Sequence, residues 1–135
     1  MELDVVITPG SGVPIFRQIV DQVRLSAATG RLEEGYPLPS VRALAERLLI
    51  NPNTVAKAYA ELAREHVIET QQGRGVFIAQ QRQMYTKAER VRRLAPVLDA
   101  LAVEGLSLGF STDELADALR QKLASLPAGS GRVSI

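Results

Sequence analysis

The feature that most constrains this chain is the dipeptide Asn51-Pro52. Asparagine is favoured just before a helix begins, because its side-chain oxygen satisfies a backbone N–H that has no intrahelical acceptor. Proline is favoured at the first helical position, where its missing N–H costs nothing. Immediately upstream, Ser40 opens another helical pattern, with Leu44, Ala45 and Leu48 on its inward face and an end near Leu49. The helix that restarts at Pro52 runs to about His66 and carries Val55, Ala58, Tyr59 and Leu62 inward. Two helices joined by a turn of only about three or four residues have the spacing of a helix-turn-helix.

The flanking segments fit around this pair. Residues 3–7 alternate weakly between apolar and polar and predict a short strand, followed by a turn at Pro9-Gly10-Ser11-Gly12. A helix is expected from near Pro14, with Ile15, Ile19, Val23 and Ala27 on one face, Phe16 and Val20 widening it, and Gly30 as its stop. Leu32 to Leu38 reads as a connector containing Gly35 and Pro37. After the third helix, Val67–Gln71 and Val76–Ile78 are two short β-rich runs around Gln72-Gly73-Arg74-Gly75, which predicts a hairpin. A hairpin in that place is a wing. Tyr59 and Phe77 are assigned to the core.

From about Gln83 the period becomes helical again, with Val91, Leu94, Leu98 and Leu101 in one stripe. Pro96 falls inside that stripe and is expected to kink or split the helix. Gly105 and Gly109 are expected to bracket a loop. Ser111 followed by Glu114 predicts a capping box, opening a last helix with Leu115, Leu119, Leu123 and Leu126 before Pro127. The fold class expected is mainly α with a small β-hairpin. It comprises a winged helix-turn-helix domain over residues 1–79, a helical dimerisation element over 80–127 and a flexible tail over 128–135.

Composition narrows the chemistry. The 135 residues include no cysteine and one histidine, His66, so disulfides, thiolate chemistry and most histidine-based metal or triad sites are excluded. No catalytic residue, cofactor site or metal site is expected, and an enzyme is disfavoured. No apolar run spans a membrane, and the start lacks the basic and long apolar segments of a signal peptide, so a cytoplasmic location is expected. Net charge is +1, and residues 1–79 hold eight Lys/Arg against nine Asp/Glu. A polyanion partner therefore requires the cations to be segregated on one face.

The spaced residues carry a resemblance. Pro14-Ile15-Phe16 with Gln18-Ile19 opens it, followed by Gly30-Arg31-Leu32 and by Gly35 with Leu38-Pro39-Ser40-Val41-Arg42 and Leu44-Ala45. Then come Asn51-Pro52-Asn53-Thr54-Val55, Ala58-Tyr59 and Leu62, and finally Gly73, Gly75 and Phe77. Together these resemble the DNA-binding domain of GntR-family bacterial transcription regulators over residues 14–79. A tail of only about fifty residues is similar to that of the YtrA-type subfamily, whose tail is a small dimerisation element. The chain departs from the family at His66, where glycine is frequent, and at Val76, where Thr or Ser is common.

The residues support the same chemistry directly. Ser40 and Arg42 stand at a helix N-terminus, whose N–H groups suit phosphate oxygens, and a guanidinium bonds phosphate or guanine. Asn51, Asn53, Thr54 and Lys57 form a polar helix start turned away from the core stripe, suited to major-groove base edges. Gly73, Arg74 and Gly75 allow close approach to a minor groove. The resemblance adds Pro52 to this set, since residues 51–54 match family positions that contact the operator.

The expected DNA-binding set is thus Ser40, Arg42, Asn51, Pro52, Asn53, Thr54, Lys57, Gly73, Arg74 and Gly75. The expected dimerisation set is Val91, Leu94, Leu98, Leu101, Leu115, Leu119 and Leu123, stripes too extensive for so short a tail to bury alone. Against these stand plainer roles: Asn51 as a helix cap, Arg42, Lys57 and Arg74 as solvated cations, and His66 as a helix-end residue. Arg82, Lys87, Arg90, Arg92 and Arg93 are read as a solvated helix face. The partners expected are double-stranded DNA bearing a palindromic operator and a second copy of the chain, with a small-molecule effector left open. The function expected is a homodimeric repressor. Its rivals are a winged-helix protein-interaction module without nucleic acid and a relative of regulators fused to an aminotransferase-like domain.

Overall fold

The computed structural model describes residues 3–80 and 85–126. They fall into two compact units, the first within residues 3–80 and the second within 85–126. The first contains, in chain order, α1 (Ile15–Ala28), β1 (Pro37–Leu38), α2 (Val41–Leu48), α3 (Pro52–Arg64), β2 (Ile68–Gln71) and β3 (Gly75–Ile78). The second is a pair of helices, α4 (Lys87–Ser107) and α5 (Thr112–Ser125).

In the first unit the three helices enclose one core. Ile19, Val20 and Val23 from α1, Leu44 from α2, and Val55, Ala58 and Leu62 from α3 are completely buried. Each large aliphatic side chain removed from water in this way contributes on the order of 1.5–3 kcal/mol. The sheet closes one side, with strand order β1-β3-β2 and antiparallel pairing throughout. The expected hairpin is β2 and β3, but the connector adds a third strand. Pro37 pairs with Phe77 and Leu38 with Val76. Gly35, at φ +83°, donates its N–H to the Ile78 carbonyl at 2.8 Å, and Ile78 N–H donates to the Tyr36 carbonyl at 2.9 Å. Two residues are too few to show a period, and a proline argues against a strand, so β1 left no signal. Phe77 corrects a second expectation. Val76 and Ile78 face the core, so Phe77 lies on the opposite face of β3 and is only half-buried.

Residues 3–8 also differ from expectation. Leu3 and Val5 point into the core, as their alternation implies, yet no strand forms. Side-chain amides of α1 replace a neighbouring strand. Gln22 accepts the Val6 N–H at 2.9 Å and donates to the Val6 carbonyl at 2.7 Å. Gln18 does the same for Thr8, at 2.8 and 3.2 Å. Each glutamine presents an acceptor and a donor as a peptide group does, so the backbone is satisfied without a ladder.

Two residues other than glycine occupy the left-handed region. Leu49, at φ +57°, ends α2, and its side chain is 90% exposed. His66, at φ +61°, follows α3. At Leu49 the chain makes the reversal that lets Ile50 N–H reach back to the Ala45 carbonyl at 3.0 Å. A glycine fits the left-handed conformation of Leu49 and His66 without the Cβ clash.

In the second unit α4 is one continuous 21-residue helix despite Pro96, so the helix is not split there. One absent hydrogen bond, at a cost of about 3 kcal/mol, is tolerated because good helix formers flank it on both sides. Gly105 is not in a loop. It lies inside α4 and is buried, and a Cβ there would stand 2.8 Å from Leu115 Cδ2, so its missing side chain is what admits Leu115. Gly109, at φ +84°, makes the turn. The capping box forms as expected. Ser111 Oγ accepts the Glu114 N–H at 3.1 Å, and Glu114 Oε1 accepts the Ser111 N–H at 2.9 Å. Residues 128–135, expected as a tail, lie outside the described residues.

Two tests follow from this packing. Leu49→Gly relieves a left-handed Cβ while removing almost no burial, so it should raise unfolding stability by about 0.5–1 kcal/mol after the added entropy of the unfolded chain. Denaturant titration checks this, and an unchanged or lower midpoint counts against it. The Ser111 N–H holds the Glu114 carboxyl below its ordinary range. A depressed carboxylate stabilises above its unfolded pKa and loses that contribution as pH falls through the folded value. Glu114→Gln keeps the acceptor without titrating, so it should lose less helix than the parent chain on acidification from roughly pH 5 to pH 3, followed by circular dichroism.

Candidate nucleic-acid interface

Three pieces of the first unit carry the residues assigned to nucleic acid. At the start of α2, Ser40 caps the helix, its Oγ accepting the Ala43 N–H at 3.0 Å. That bond satisfies the third helical position and leaves the N–H groups of Val41 and Arg42 without an intrahelical acceptor. Arg42 is exposed, and its guanidinium forms no hydrogen bond or ion pair among the described residues. The approach to this helix is held from below. Tyr59 Oη, on α3, donates to the Pro39 carbonyl at 2.7 Å. Burial pushes the Tyr59 phenol well above its ordinary range, which keeps it a neutral donor.

The start of α3 is organised differently. Asn51 Oδ1 accepts the Asn53 N–H at 2.8 Å, and the Asn51 carbonyl accepts the Thr54 N–H at 3.0 Å. Pro52 has no N–H to offer. The backbone donors at this end are therefore spent internally, and any recognition here falls to side chains. Asn51 has its oxygen engaged in the cap, which fixes the orientation of its carboxamide. Asn53 is exposed with its whole carboxamide uncommitted among the described residues, and Thr54 is half-buried. Lys57 is exposed, and its ammonium sits 4.0 Å from the centre of the Phe16 ring, with the Arg17 guanidinium 5.2 Å from the same ring. Sequence reasoning placed Phe16 in the apolar stripe of α1 and missed this role. Its signal was an aromatic at the first turn, indistinguishable by period from a core residue.

The wing is the loop between β2 and β3. Gln71 pairs with Gly75, and the Arg74 N–H donates to the Gln71 carbonyl at 2.9 Å. Gly73 and Gly75 hold φ of +78° and +121°, conformations a side chain would strain. They leave Arg74 exposed at the tip, with no side-chain partner among the described residues. The pairing of Leu38 with Val76 joins this wing to the residues that lead into Ser40.

The paired cations lie elsewhere. Arg24 bonds Glu65, and Arg64 bonds Glu61, both in the last turns of α3 or just beyond. The Arg64 guanidinium holds the Glu61 carboxyl at about 2. Acids are thus matched by arginines at the far end of α3, while Arg42 and Arg74 have no acidic partner among the described residues. In the second unit Arg92 and Arg93 both bond Glu89, and Arg93 also stacks 4.2 Å from the Tyr85 ring centre. Arg90 and Lys87 are exposed, and Arg82 lies outside the described residues.

The residues assigned to dimerisation stay largely outside any core. Val91, Leu94, Leu98, Leu101, Leu119 and Leu123 are 37–61% exposed, whereas Leu115 is half-buried against Gly105. Val97, Val103, Leu106, Leu108 and Phe110 are exposed as well and were not singled out by period, because they fall outside the stripe. Gly105 is the only fully buried residue among those described in this unit. An apolar cavity of about 360 Å³ opens between α4 and α5, lined by Leu98, Leu101, Leu106, Phe110, Leu115 and Leu119, among others.

Comparison with known proteins agrees with this geometry. The profile of the bacterial regulatory proteins, gntR family, matches residues 6–78. The transcriptional repressor YtrA of Bacillus subtilis is 34% identical over 91% of this chain and 95% of its own length. Among solved structures, a transcriptional antiterminator from Listeria monocytogenes EGD-e is 30% identical and superposes with a TM-score of 0.80 over 99% of this chain and 100% of that one. YtrA from Sulfolobus acidocaldarius, a GntR-family transcription factor, is 35% identical with a TM-score of 0.56, covering 73% of this chain and 97% of its own. This chain belongs to the gntR family of bacterial transcription regulators and resembles its YtrA-type members.

Proposed function

We propose that the chain acts as a homodimeric repressor that binds a palindromic operator in double-stranded DNA. The observation that carries this reading is the pair of unneutralised guanidinia, Arg42 and Arg74, on the two elements that the Leu38–Val76 pairing ties together. Arg42 with the free N–H groups of Val41 and Arg42 grips phosphate or guanine at one point. Asn53 with Thr54 meets base edges in the major groove, and Arg74 with the glycine wing enters the neighbouring minor groove. Asn51 and Ser40 act first as caps that aim these helix starts. Lys57, set against Phe16, supplies charge to the phosphate backbone.

Pairing follows from the second unit. A two-helix hairpin with eleven large hydrophobic side chains exposed between Val91 and Leu123 has no core of its own. Elements of this size fold when a partner covers them. A second copy does so with two-fold symmetry, doubles the DNA contacts and requires matching half-sites. Blocking of transcription follows from occupancy of such a site, in keeping with the name of the B. subtilis relative as a repressor.

Genome-wide selection of bound fragments with the purified chain tests the reading. Arg42→Ala should lose on the order of 10- to 100-fold in operator affinity while sedimenting as the parent does. Unchanged affinity removes Arg42 from the interface, and no binding to any duplex at low salt favours a protein-interaction winged helix. Arg74→Ala should lower the slope of log affinity against log salt by about one. Leu98→Glu should halve the sedimenting mass and abolish operator binding while the amide spectrum of residues 3–80 is kept. Retention of the dimer overturns the role given to the α4 stripe.

A further inference from the structure

The exposed start of α3 has a chemical bias that the operator must mirror. We propose that α3 reads A·T pairs, with Asn53 bonding an adenine and the Ala56 methyl touching a thymine methyl at a neighbouring step. The inference rests on the placement of α3 in the major groove given above. Of the two asparagines at this helix start, Asn51 has its oxygen bound to the Asn53 N–H at 2.8 Å. The cap fixes its carboxamide toward the helix start, with one lone pair of the oxygen already used. Asn53 keeps an acceptor and a donor together, which is the pattern that matches N6 and N7 of adenine.

One turn further along the same outward face stands Ala56, exposed and flanked by Asn53 and Lys57. Positions three apart on a helix lie one above the other with a rise of roughly 4.5 Å, between one and two base-pair steps of about 3.4 Å. An alanine methyl at that place has no hydrogen bond to make, and the group it matches in the major groove is the C5 methyl of thymine. The one cation in these turns, Lys57, holds its ammonium 4.0 Å from the Phe16 ring, back toward α1. Residues 51–60 contain no arginine, so the α3 face lacks the guanidinium that pairs with O6 and N7 of guanine. Guanine, where the operator has it, is left to Arg42.

The test uses the full-length chain and the operator recovered by fragment selection. At each thymine of a half-site, deoxyuridine replaces thymidine and removes only the methyl. At each adenine, 7-deazaadenine removes only N7. The parent chain should lose about three- to fivefold at one thymine per half-site, and this loss should vanish in Ala56→Gly. The parent should lose on the order of tenfold at one adenine, and Asn53→Ala should be insensitive to the same change. Both variants should keep the parent's far-ultraviolet circular dichroism spectrum and sedimenting mass, which shows that they remain folded and paired. A methyl-sensitive thymine that stays sensitive in Ala56→Gly overturns the assignment, as does an operator in which no thymine methyl matters. Absence of any selected operator overturns the placement of α3 itself.

Discussion

The short pairing of β1 with β3 is the constraint on which the proposed interface depends. It consists of two residue pairs, Pro37 with Phe77 and Leu38 with Val76, extended by the backbone bonds of Gly35 and Tyr36 to Ile78. One end of β1 leads through Pro39 into the Ser40 cap, and one end of β3 is the wing glycine Gly75. A wing on a free hairpin would move independently of α2. Backbone hydrogen bonds between the two segments remove that freedom, so Arg42 and Arg74 are presented from one rigid piece. Tyr59 completes the arrangement from the other side, since its hydroxyl bond to Pro39 ties α3 to the same entry point.

Charge is organised by pairing and not by composition. The first unit carries as many acids as bases, so bulk attraction to a polyanion is absent. Glu61 and Glu65 are instead matched by Arg64 and Arg24 at the C-terminal end of α3. Opposite charges in contact cancel beyond a Debye length of about 8 Å at physiological salt, which leaves unpaired guanidinia elsewhere to set the local potential. The N-termini of α2 and α3 divide the remaining work. One keeps free N–H groups beside an arginine, whereas the other spends its backbone donors on its own cap and presents side chains.

The second unit inverts the usual relation between helix and core. Its helices are well capped, by Thr86 and by the Ser111–Glu114 box, and Gly105 lets them approach closely. Yet its apolar side chains remain in water in a single chain. Local signals suffice to start and stop such helices, while their stability awaits a surface to bury against.

Much of this was legible in the residues. Ser40, Asn51-Pro52 and Ser111 with Glu114 act through bonds to N–H groups two or three positions away, so the information and the effect share the same few residues. The apolar periods of α1, α2 and α3 were equally local, and they determined which faces became core. Tertiary structure alone decided the rest. A two-residue strand has no period, and β1 exists because β3 is there to pair with it. Residues 3–8 have no strand partner and stay extended because Gln18 and Gln22, 10 to 16 positions away, supply the bonds. Gly105 reads as a turn until Leu115 is seen to need its missing side chain. Lys57 reads as a free cation until Phe16 is seen beneath it. Asn51-Pro52 by itself determined that one helix must stop and another begin. Which donors that junction left open to a partner was decided by how the cap bonded and what the fold packed around it.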